Sequence, residues 1–591
     1  MRGVTNYDKL PTIPVSDDPT RCLAGWQAIV DELAIRIPAN GRFTLVVECY
    51  PGTDREEIKD AFQGFPSALV LLSESALKSK EAIDAFLAPW LGDDLVFSRM
   101  KAWDVGSFFD PAKVAHLRGV LAEATGLVVI YGTGAAYVAE QWDLLIHCDL
   151  TRCEIQRRQR SHLAPSLGAN DAADSAMALY KRAYFVDWRA GDREKHRLHT
   201  RLDYYVDTNL PRQPRMISGD WYRACLAETS RRPFRVVPFF DPGVWGGQWM
   251  RQHFDLPPEP PNYAWCFDCV PEENSLRFGF GDRVVQTPAL SLVHEEPENL
   301  LGHDIVERFG AEFPIRFDFL DTVDGGNLSL QVHPLRPYIE EHFDMPYTQD
   351  ESYYLLDARP DAIVYLGLKQ GIDREQMAAD LRSAQSGGEP FPVDAYVNAW
   401  PVKKHDHVSI PAGTIHCSGR NSMVLEISAT PYIFTFKLWD WGRLGLDGKP
   451  RPIHLTHGLA NVQWNRDREW VAQHLIFQVR GLGQGDGWYE ERTGLHELEF
   501  IETRRHWFTK SVPHDTLGNL NVLNLVEGDE AIVESPTGAF EPFVVHYAET
   551  FIIPACVGRY CISPRKTTSK PLATIKAYVR RALPGEQHDS K

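Results

Sequence analysis

Apolar and polar positions divide this chain into two stretches of different rhythm. Through the first two hundred or so residues, short apolar runs alternate with amphipathic ones. "RFTLVVECY" (42–50), "ALVLLSE" (68–74), "LVVIYG" (127–132) and "DLLIHCDL" (143–150) read as buried strands. Between and after them, "TDREEIKDAFQGF" (53–65), "PAKVAHLRGVLAEATG" (111–126) and "TRCEIQRRQRSHL" (151–163) carry helical spacing. Strands alternating with helices predict a parallel sheet covered on both faces. After about Pro233 the rhythm changes to short strands separated by Pro and Gly turns. "FPIRFDFLD", "LSLQVH", "SYYLLDA", "AIVYLGL", "DHVSIPAG", "SMVLEISA" and "IFTFKLW" are such strands, the pattern of a sandwich or barrel. One helix interrupts them, "DREQMAADLRSAQSG", capped by Asp373 and ending near Gly387. A last β-rich stretch, from "LNVLNLVEGDEAIVES" to "TIKAYVRRAL", reads as a smaller second barrel.

Size and charge narrow the picture. A chain of 591 residues exceeds one core. The patterning divides it into an α/β domain at 1–225, a β-barrel domain at 226–485 and a smaller barrel at 486–591. Lys plus Arg number 62 against 80 Asp plus Glu, a formal net charge of -18. An acidic surface repels phosphate backbones and anionic membranes, so neither nucleic acid nor a membrane is expected as partner. The residues after Met1 carry no signal-type apolar core, no window is apolar enough to span a bilayer, and the ten Cys are scattered. A cytoplasmic protein with reduced thiols is the expectation. Cys266 and Cys269 form a lone CxxC without a second pair, which reads as two packed thiols.

The segment "NLSLQVHPLRPYIEEHFDMPYTQDESYYLLDA" (327–358) carries the candidate chemistry. Gln331 and His333 are two apart on a strand and so share a face. Glu351 follows some twenty residues later, and His416 emerges from the Gly turn in "HVSIPAGTIHCSG". Together Gln331, His333, Glu351 and His416 offer two nitrogen and two oxygen ligands, a set suited to Zn2+ or another borderline divalent metal. Any one of these His alone would read as an ordinary packed residue. Four such residues in this order read as a metal site.

These motifs resemble the type I mannose-6-phosphate isomerases, whose pattern S-[LI]-Q-x-H-P, an acidic residue before an aromatic pair, P-x-G-T-x-H and L-E is matched by "SLQVHP", "DESYYLL", "PAGTIH" and "VLEI". "VWGGQW" (244–249), "WCFDCVPEENS", "FPIRFDFLD" and "FKLWDWGR" (436–443) extend the likeness over roughly residues 235 to 575. The resemblance implies two cupin barrels, the first holding the metal, and interconversion of mannose 6-phosphate and fructose 6-phosphate through an enediol. It implies Lys437 as a catalytic residue, in the place of the family's Arg. Glu426, a carboxylate inside the apolar strand "MVLEISA", is the other catalytic candidate, as a substrate or proton-relay contact, with pairing to a nearby Lys or Arg as the alternative. The resemblance further implies Ser329 as a substrate contact. Where the family often has a Lys two residues before the acidic ligand, this chain has Gln349. Lys403, Lys404, Arg443 and Arg451 are candidate replacements, with Lys404 and Arg443 taken as substrate-binding. The final barrel shows no His–Glu ligand set and is expected to hold no metal.

Other residues weigh toward structure. His405 and His407 around Asp406 read as a solvated turn, and His454 and His457 as packing or surface. The Trp in "WGGQW" and "WDWGR" read as barrel packing, with a sugar-stacking rim as the alternative. In the first domain, "ECYPGTDRE" stands where a phosphate-binding loop would, without G-K-[ST]. The stretch "DVGSFFDPAKVAHLRGVLAEATGLVVIYGTGAAYVAEQWDLLIHCDLTRCEIQRRQR" resembles uridine kinases, with Tyr131 at the family's Glu. The expectation is a degenerate P-loop, nucleoside-kinase-like domain used for packing or assembly, with a nucleotide or sugar-phosphate sensor as the alternative, and "QRRQR" (156–160) as a solvated helix face, with a phosphate lid as the alternative. The function read from the whole chain is a metal-dependent aldose–ketose isomerase. The alternatives are isomerisation of a different aldose, or a sugar- or sugar-phosphate-sensing regulatory protein without turnover.

Overall fold

The computed structural model describes residues 6–65, 68–494 and 499–581; the end of the "TIKAYVRRAL" stretch lies outside them. The chain forms two compact units. One comprises Pro11–Thr229 and Pro271–Glu296; the other comprises Met1–Leu10, Ser230–Val270 and Pro297–Lys591.

The first unit is built on a seven-stranded sheet. Five strands run parallel in the order Leu69–Leu72, Leu127–Gly132, Phe43–Cys49, Leu144–Asp149 and Tyr204–Asp207. Arg215–Ser218 and Leu23–Ala24 complete the sheet antiparallel. The central strands are buried along nearly their whole length, because helices such as Arg55–Gln63 cover the sheet, and this is why they read as unbroken apolar runs. Asp54 caps that helix by accepting from the backbone N–H of Glu56 and Glu57.

The two units join at Thr229 and Ser230, and two segments cross that junction. The hairpin of Ser275–Phe280 and Arg283–Pro288 returns to the first unit, where Ser275–Phe280 pairs parallel with Ile13–Ser16. Residues 6–10 join the second unit instead. Both placements rest on long-range pairing, which local patterning does not reveal. The "QRRQR" helix is a correction too. Gln156, Arg158 and Gln159 are buried, and Arg158 donates to the carbonyls of Gly52 and Thr208 and to Glu154.

The second unit contains two antiparallel double-sheet barrels. In the first, a six-stranded sheet runs His407–Ile410, Glu351–Ala358, Ser422–Ala429, Ile315–Asp321, Trp265–Cys269 and Phe239–Asp241. The five-stranded sheet of that barrel runs Val397–Pro401, Ile363–Leu368, His416–Ser418, Leu330–Val332 and Phe436–Trp439. The inserted helix Arg374–Gln385 starts at Asp373, whose carboxylate accepts from Glu375 and Gln376. In the second barrel, six strands between Arg480 and Val579 face four strands between Val512 and Pro564. Cys266 and Cys269 are buried free thiols.

A buried ionic cluster ties this unit together. Arg235, 3% exposed, pairs with Glu549 at 2.6 Å and lies 3.7 Å from Asp268. Tyr7 donates to Asp268 at 2.5 Å, and the Asp8 carbonyl accepts from Arg235. The first barrel, the second barrel and the N-terminal residues thus share one guanidinium. Removing it would strand two carboxylates away from water. Arg235→Met should destabilise this unit by about 3–5 kcal/mol, the range for breaking a buried pair, as read by denaturant unfolding.

Candidate metal centre

Strand register assembles the site. Gln331 stands opposite His416 on one neighbouring strand and Lys437 on the other. Directly paired residues project to the same face, so Lys437, Gln331 and His416 form one row. On the other sheet Glu351, Ser428 and Arg316 form a row, and Tyr353, Glu426 and Asp318 form the next. His333 follows two residues after Gln331. The turn that delivers His416 is held from several sides. Gly413 adopts φ +86, donates its N–H to the His333 carbonyl at 3.0 Å and leaves no room for a Cβ beside the Asn461 carbonyl. Asp350 accepts from the Ala412 N–H at 2.8 Å, and Arg466 donates to the carbonyls of Pro411 and Ala412.

The two sheets meet at Glu351. Its carboxylate lies 2.6 Å from His416 Nε2 and 3.2 Å from His333 Nε2, and the donor atoms of the three residues fall within 4.8 Å of one another. Both imidazoles and the carboxylate are buried. Even so, His333 Nε2 and Glu351 Oε1 find no partner in hydrogen-bonding geometry. His416 Nδ1 sits 2.9 Å from the Thr414 carbonyl, which sets this nitrogen as the N–H and leaves Nε2 as a bare lone pair pointing inward. The Gln331 amide is 3.2 Å from His416 Nε2, and rotating it by half a turn presents its oxygen instead. The unpartnered His333 Nε2 and Glu351 Oε1, with His416 Nε2 and the Gln331 amide beside them, fit a divalent metal of zinc type. Burial works against the Glu351 charge, and an imidazole that carries a proton toward it pulls the carboxyl well below the usual carboxylate range; with both Nε2 atoms bare, that stabilisation falls to a bound cation instead. Burial also lowers the His333 imidazole, keeping it in the neutral form that ligates.

Beside the ligands lies a carboxyl cluster that patterning alone did not reveal. Glu426 and Asp318 are opposite one another across the ladder. Burial pushes Glu426 well above its ordinary range, with Asp318 and Glu351 adding to the push. Burial likewise raises Asp318, to about 6, against the pull of Arg316. Arg316 donates to Asp318 at 3.0 Å, lies 3.5 Å from Glu426 and covers the Tyr432 ring at 4.6 Å. Its Nε and Nη1 find no hydrogen-bond acceptor. Gln349 donates to both Glu351 and Glu426, at 3.3 and 3.2 Å. Arg316, on the strand "FPIRFDFLD", is the cation paired with this carboxyl cluster. Charged residues alternating within an apolar strand were the available signal.

A basic end completes the site. Ser329 donates to Asp440 at 2.9 Å, and Asp440 also accepts from Arg443 and, at 2.5 Å, from Arg451. Burial, aided by Arg451 and Arg443 and opposed by Asp440, lowers the Lys437 ammonium to about 8. Three cations around one carboxylate leave this end of the sheet net positive.

Lys404 is not brought to this site. It pairs with Glu527 of the second barrel, beyond the end of the Glu351 strand remote from Glu351 itself. His405 and His407 are likewise neither solvated nor ligands. His405 bonds to Tyr354 at 2.8 Å and lies 3.2 Å from Glu527. His407 bridges Thr493 and Ser352, at 2.8 and 2.9 Å. The turn "KKHDH" braces one barrel on the other. His454 and His457 pack, His454 accepting from the Lys437 N–H and His457 meeting Tyr338. Trp245 and Trp249 are buried.

Residues 25–231 match a family described as a domain of unknown function, DUF8485. Over 237 residues, 39% of this chain and 68% of the relative, the sequence is 25% identical to mannose-6-phosphate isomerase ManA of Bacillus subtilis. Over 218 residues it is 26% identical to a mannose-6-phosphate isomerase of Streptococcus mutans, covering 36% of this chain and 63% of that one. The matches thus span about two thirds of these relatives. The crystal structure of the Bacillus subtilis mannose 6-phosphate isomerase overlays 59% of this chain and all of its own, at 16% identity and TM-score 0.47. No helix among the described residues is long and apolar enough to cross a membrane.

If the converging lone pairs hold the ion, elemental analysis of the purified protein should find about one zinc-type metal per chain. Glu351→Gln or His416→Ala should lower the content at least tenfold while the far-ultraviolet spectrum stays native.

Proposed function

We propose that the second unit is a metal-dependent aldose–ketose isomerase acting on a sugar phosphate, with mannose 6-phosphate and fructose 6-phosphate as the pair. The observation that carries this reading is the row Lys437–Gln331–His416 facing Glu351 and the Glu426–Asp318 carboxyls. Similarity to proteins named mannose-6-phosphate isomerase supports the choice of substrate. Gln331, His333, Glu351 and His416 would hold the metal. When bound, the metal supplies a Lewis acid that polarises the sugar carbonyl and its neighbouring hydroxyl.

The remaining chemistry belongs to side chains. Isomerisation moves one proton between adjacent carbons, so it needs one acid–base group that can both accept and return it. The Glu426–Asp318 pair is suited to this. Two carboxyls side by side share a proton, and with Asp318 near 6 the pair has an ionised member at neutral pH. The proton leaves C2 of the aldose for the carboxylate, the C–H electron pair forms the C1–C2 double bond and the carbonyl π pair moves onto O1; a proton then passes from the O2 hydroxyl to O1, the C2 carbonyl forms, and the carboxyl returns its proton to C1. Arg316 offsets the negative charge of the carboxyl pair. Lys437 offers a cation to the developing negative oxygen. Ser329, Arg443 and Arg451, around Asp440, form the wall suited to the phosphate group.

In this reading the first unit is a degenerate P-loop, kinase-like domain with an assembly role. Its parallel sheet and the Tyr50–Asp54 loop after the central strand support that, as does the absence of G-K-[ST]. The alternative for the second unit, a sugar-binding regulator, draws on Gln349 and on Lys437 in place of an Arg.

A coupled assay for fructose 6-phosphate formed from mannose 6-phosphate separates the two. Activity lost on chelation and restored by zinc is expected. A folded, metal-loaded protein without turnover on this or other aldoses would instead support the regulator. The Lys437 ammonium sets a pH limit. A lysine near 8 is charged below that pH and neutral above it, so kcat/KM should fall as pH rises through about 8. Lys437→Arg should move this alkaline limb upward, and Lys437→Met should lower kcat/KM by about 10²–10³ and abolish the limb.

A further inference from the structure

The barrel formed by residues 480–581 holds a cavity of about 520 Å³, remote in sequence from the metal ligands. Its lining is unusual for a packing barrel. Arg492, Arg504 and Lys576 stand directly opposite one another on three adjacent strands, facing the space between the sheets. Like charges in one cross-strand row destabilise a sheet. Arg504 is compensated by Glu502 at 2.7 Å and Glu490 at 3.1 Å. Lys576 is 7% exposed and makes no ion pair among the described residues. Glu490, Glu502 and Asp515 favour its charge from a distance, but none pairs with it, so an anion in the cavity would be its direct partner.

The neutral groups around it are also unsatisfied. His506 and His514 approach from opposite sheets, their ring centroids 4.5 Å apart. His514 stacks on Tyr560 at 4.9 Å, yet neither of its ring nitrogens has a hydrogen-bond partner. His506 Nδ1 and Asn519 Oδ1 are unpartnered as well. Buried polar atoms are rarely left bare, and several lining one cavity indicate a ligand that bonds to them. Trp488 and Tyr578 add aromatic walls of the kind that meet sugar C–H groups.

We propose that this cavity is a second, metal-independent binding site for a small polyhydroxylated anion, its acid group held by Lys576 and Arg492 and its hydroxyls by His506, His514 and Asn519. The acid group is a phosphate monoester or a carboxylate, since both accept from an ammonium and a guanidinium. Burial lowers the Lys576 ammonium to about 8, and a bound anion would restore it. The imidazoles do not make a metal site, because Glu490, which meets His506, is engaged by Arg504, as is Glu502. The site does not depend on the proposed isomerase activity.

Calorimetric titration of the full-length protein with glucose 6-phosphate, gluconate and inorganic phosphate tests this, run in chelator and on the Glu351→Gln variant so that the metal centre is silent. Binding of glucose 6-phosphate or gluconate at one per chain is expected, unchanged by Glu351→Gln. Lys576→Met should weaken it at least about tenfold, the loss of one charge-assisted contact. Arg492→Gln, at a half-buried position less demanding of the fold, should weaken it likewise. The stronger of the two sugar probes identifies the acid group. Absence of binding by both sugars, equal binding of inorganic phosphate, or affinity indifferent to Lys576→Met and Arg492→Gln would each overturn the proposal.

Discussion

The site depends on the register of one short strand. Leu330–Val332 lies between His416–Ser418 and Phe436–Trp439, and its pairing sets Gln331 beside both His416 and Lys437. Side chains alternate along a strand, so a slip of one residue would turn Gln331 away from the site. The neighbouring strands are therefore pinned: the PAGT turn by Asp350, Arg466 and the left-handed Gly413, and the Lys437 strand by the contact of its backbone N–H with His454. These contacts lie outside the ligand set, and they are what bring its members within reach of one ion.

Around that register the barrel interior is electrostatically divided. Glu351, Glu426 and Asp318 cluster on the six-stranded sheet with a single guanidinium, Arg316, among them. Lys437, Arg443 and Arg451 gather about Asp440 at the end of the five-stranded sheet. Burial raises the carboxyls Glu426 and Asp318 and lowers the Lys437 ammonium, each toward neutrality. Such opposed shifts suit acid–base work near pH 7. Gln349 stands where a lysine was expected. Its amide bridges Glu351 and Glu426, while Arg316 is the cation paired with the carboxyl cluster.

The second barrel is more than a brace. Its outer face carries Arg505, which donates to the His405 carbonyl at 2.7 Å, while Thr493 meets His407. These contacts account for buried imidazoles that read as surface in the sequence. Its inner face keeps a row of cations and two imidazoles with unmet bonding capacity, an arrangement that burial makes expensive unless something binds there.

The sequence by itself determined a good deal here. The change from alternating strands and helices to close-spaced strands located the α/β and β portions. The motifs around Gln331, His333, Glu351 and His416 named residues that the fold gathers from separate strands. That was legible because strand periodicity, Gly turns and helix caps are local consequences of backbone geometry. Tertiary structure decided the rest. It returned the hairpin at 275–288 to the first unit, carried Lys404 to Glu527, buried three of the five residues of "QRRQR", and placed Arg316 and Asp318 beside Glu426. Each of these outcomes depends on which distant strand or carboxylate meets a given side chain. Register between strands far apart in sequence is set by packing of the whole barrel, and no local pattern encodes it.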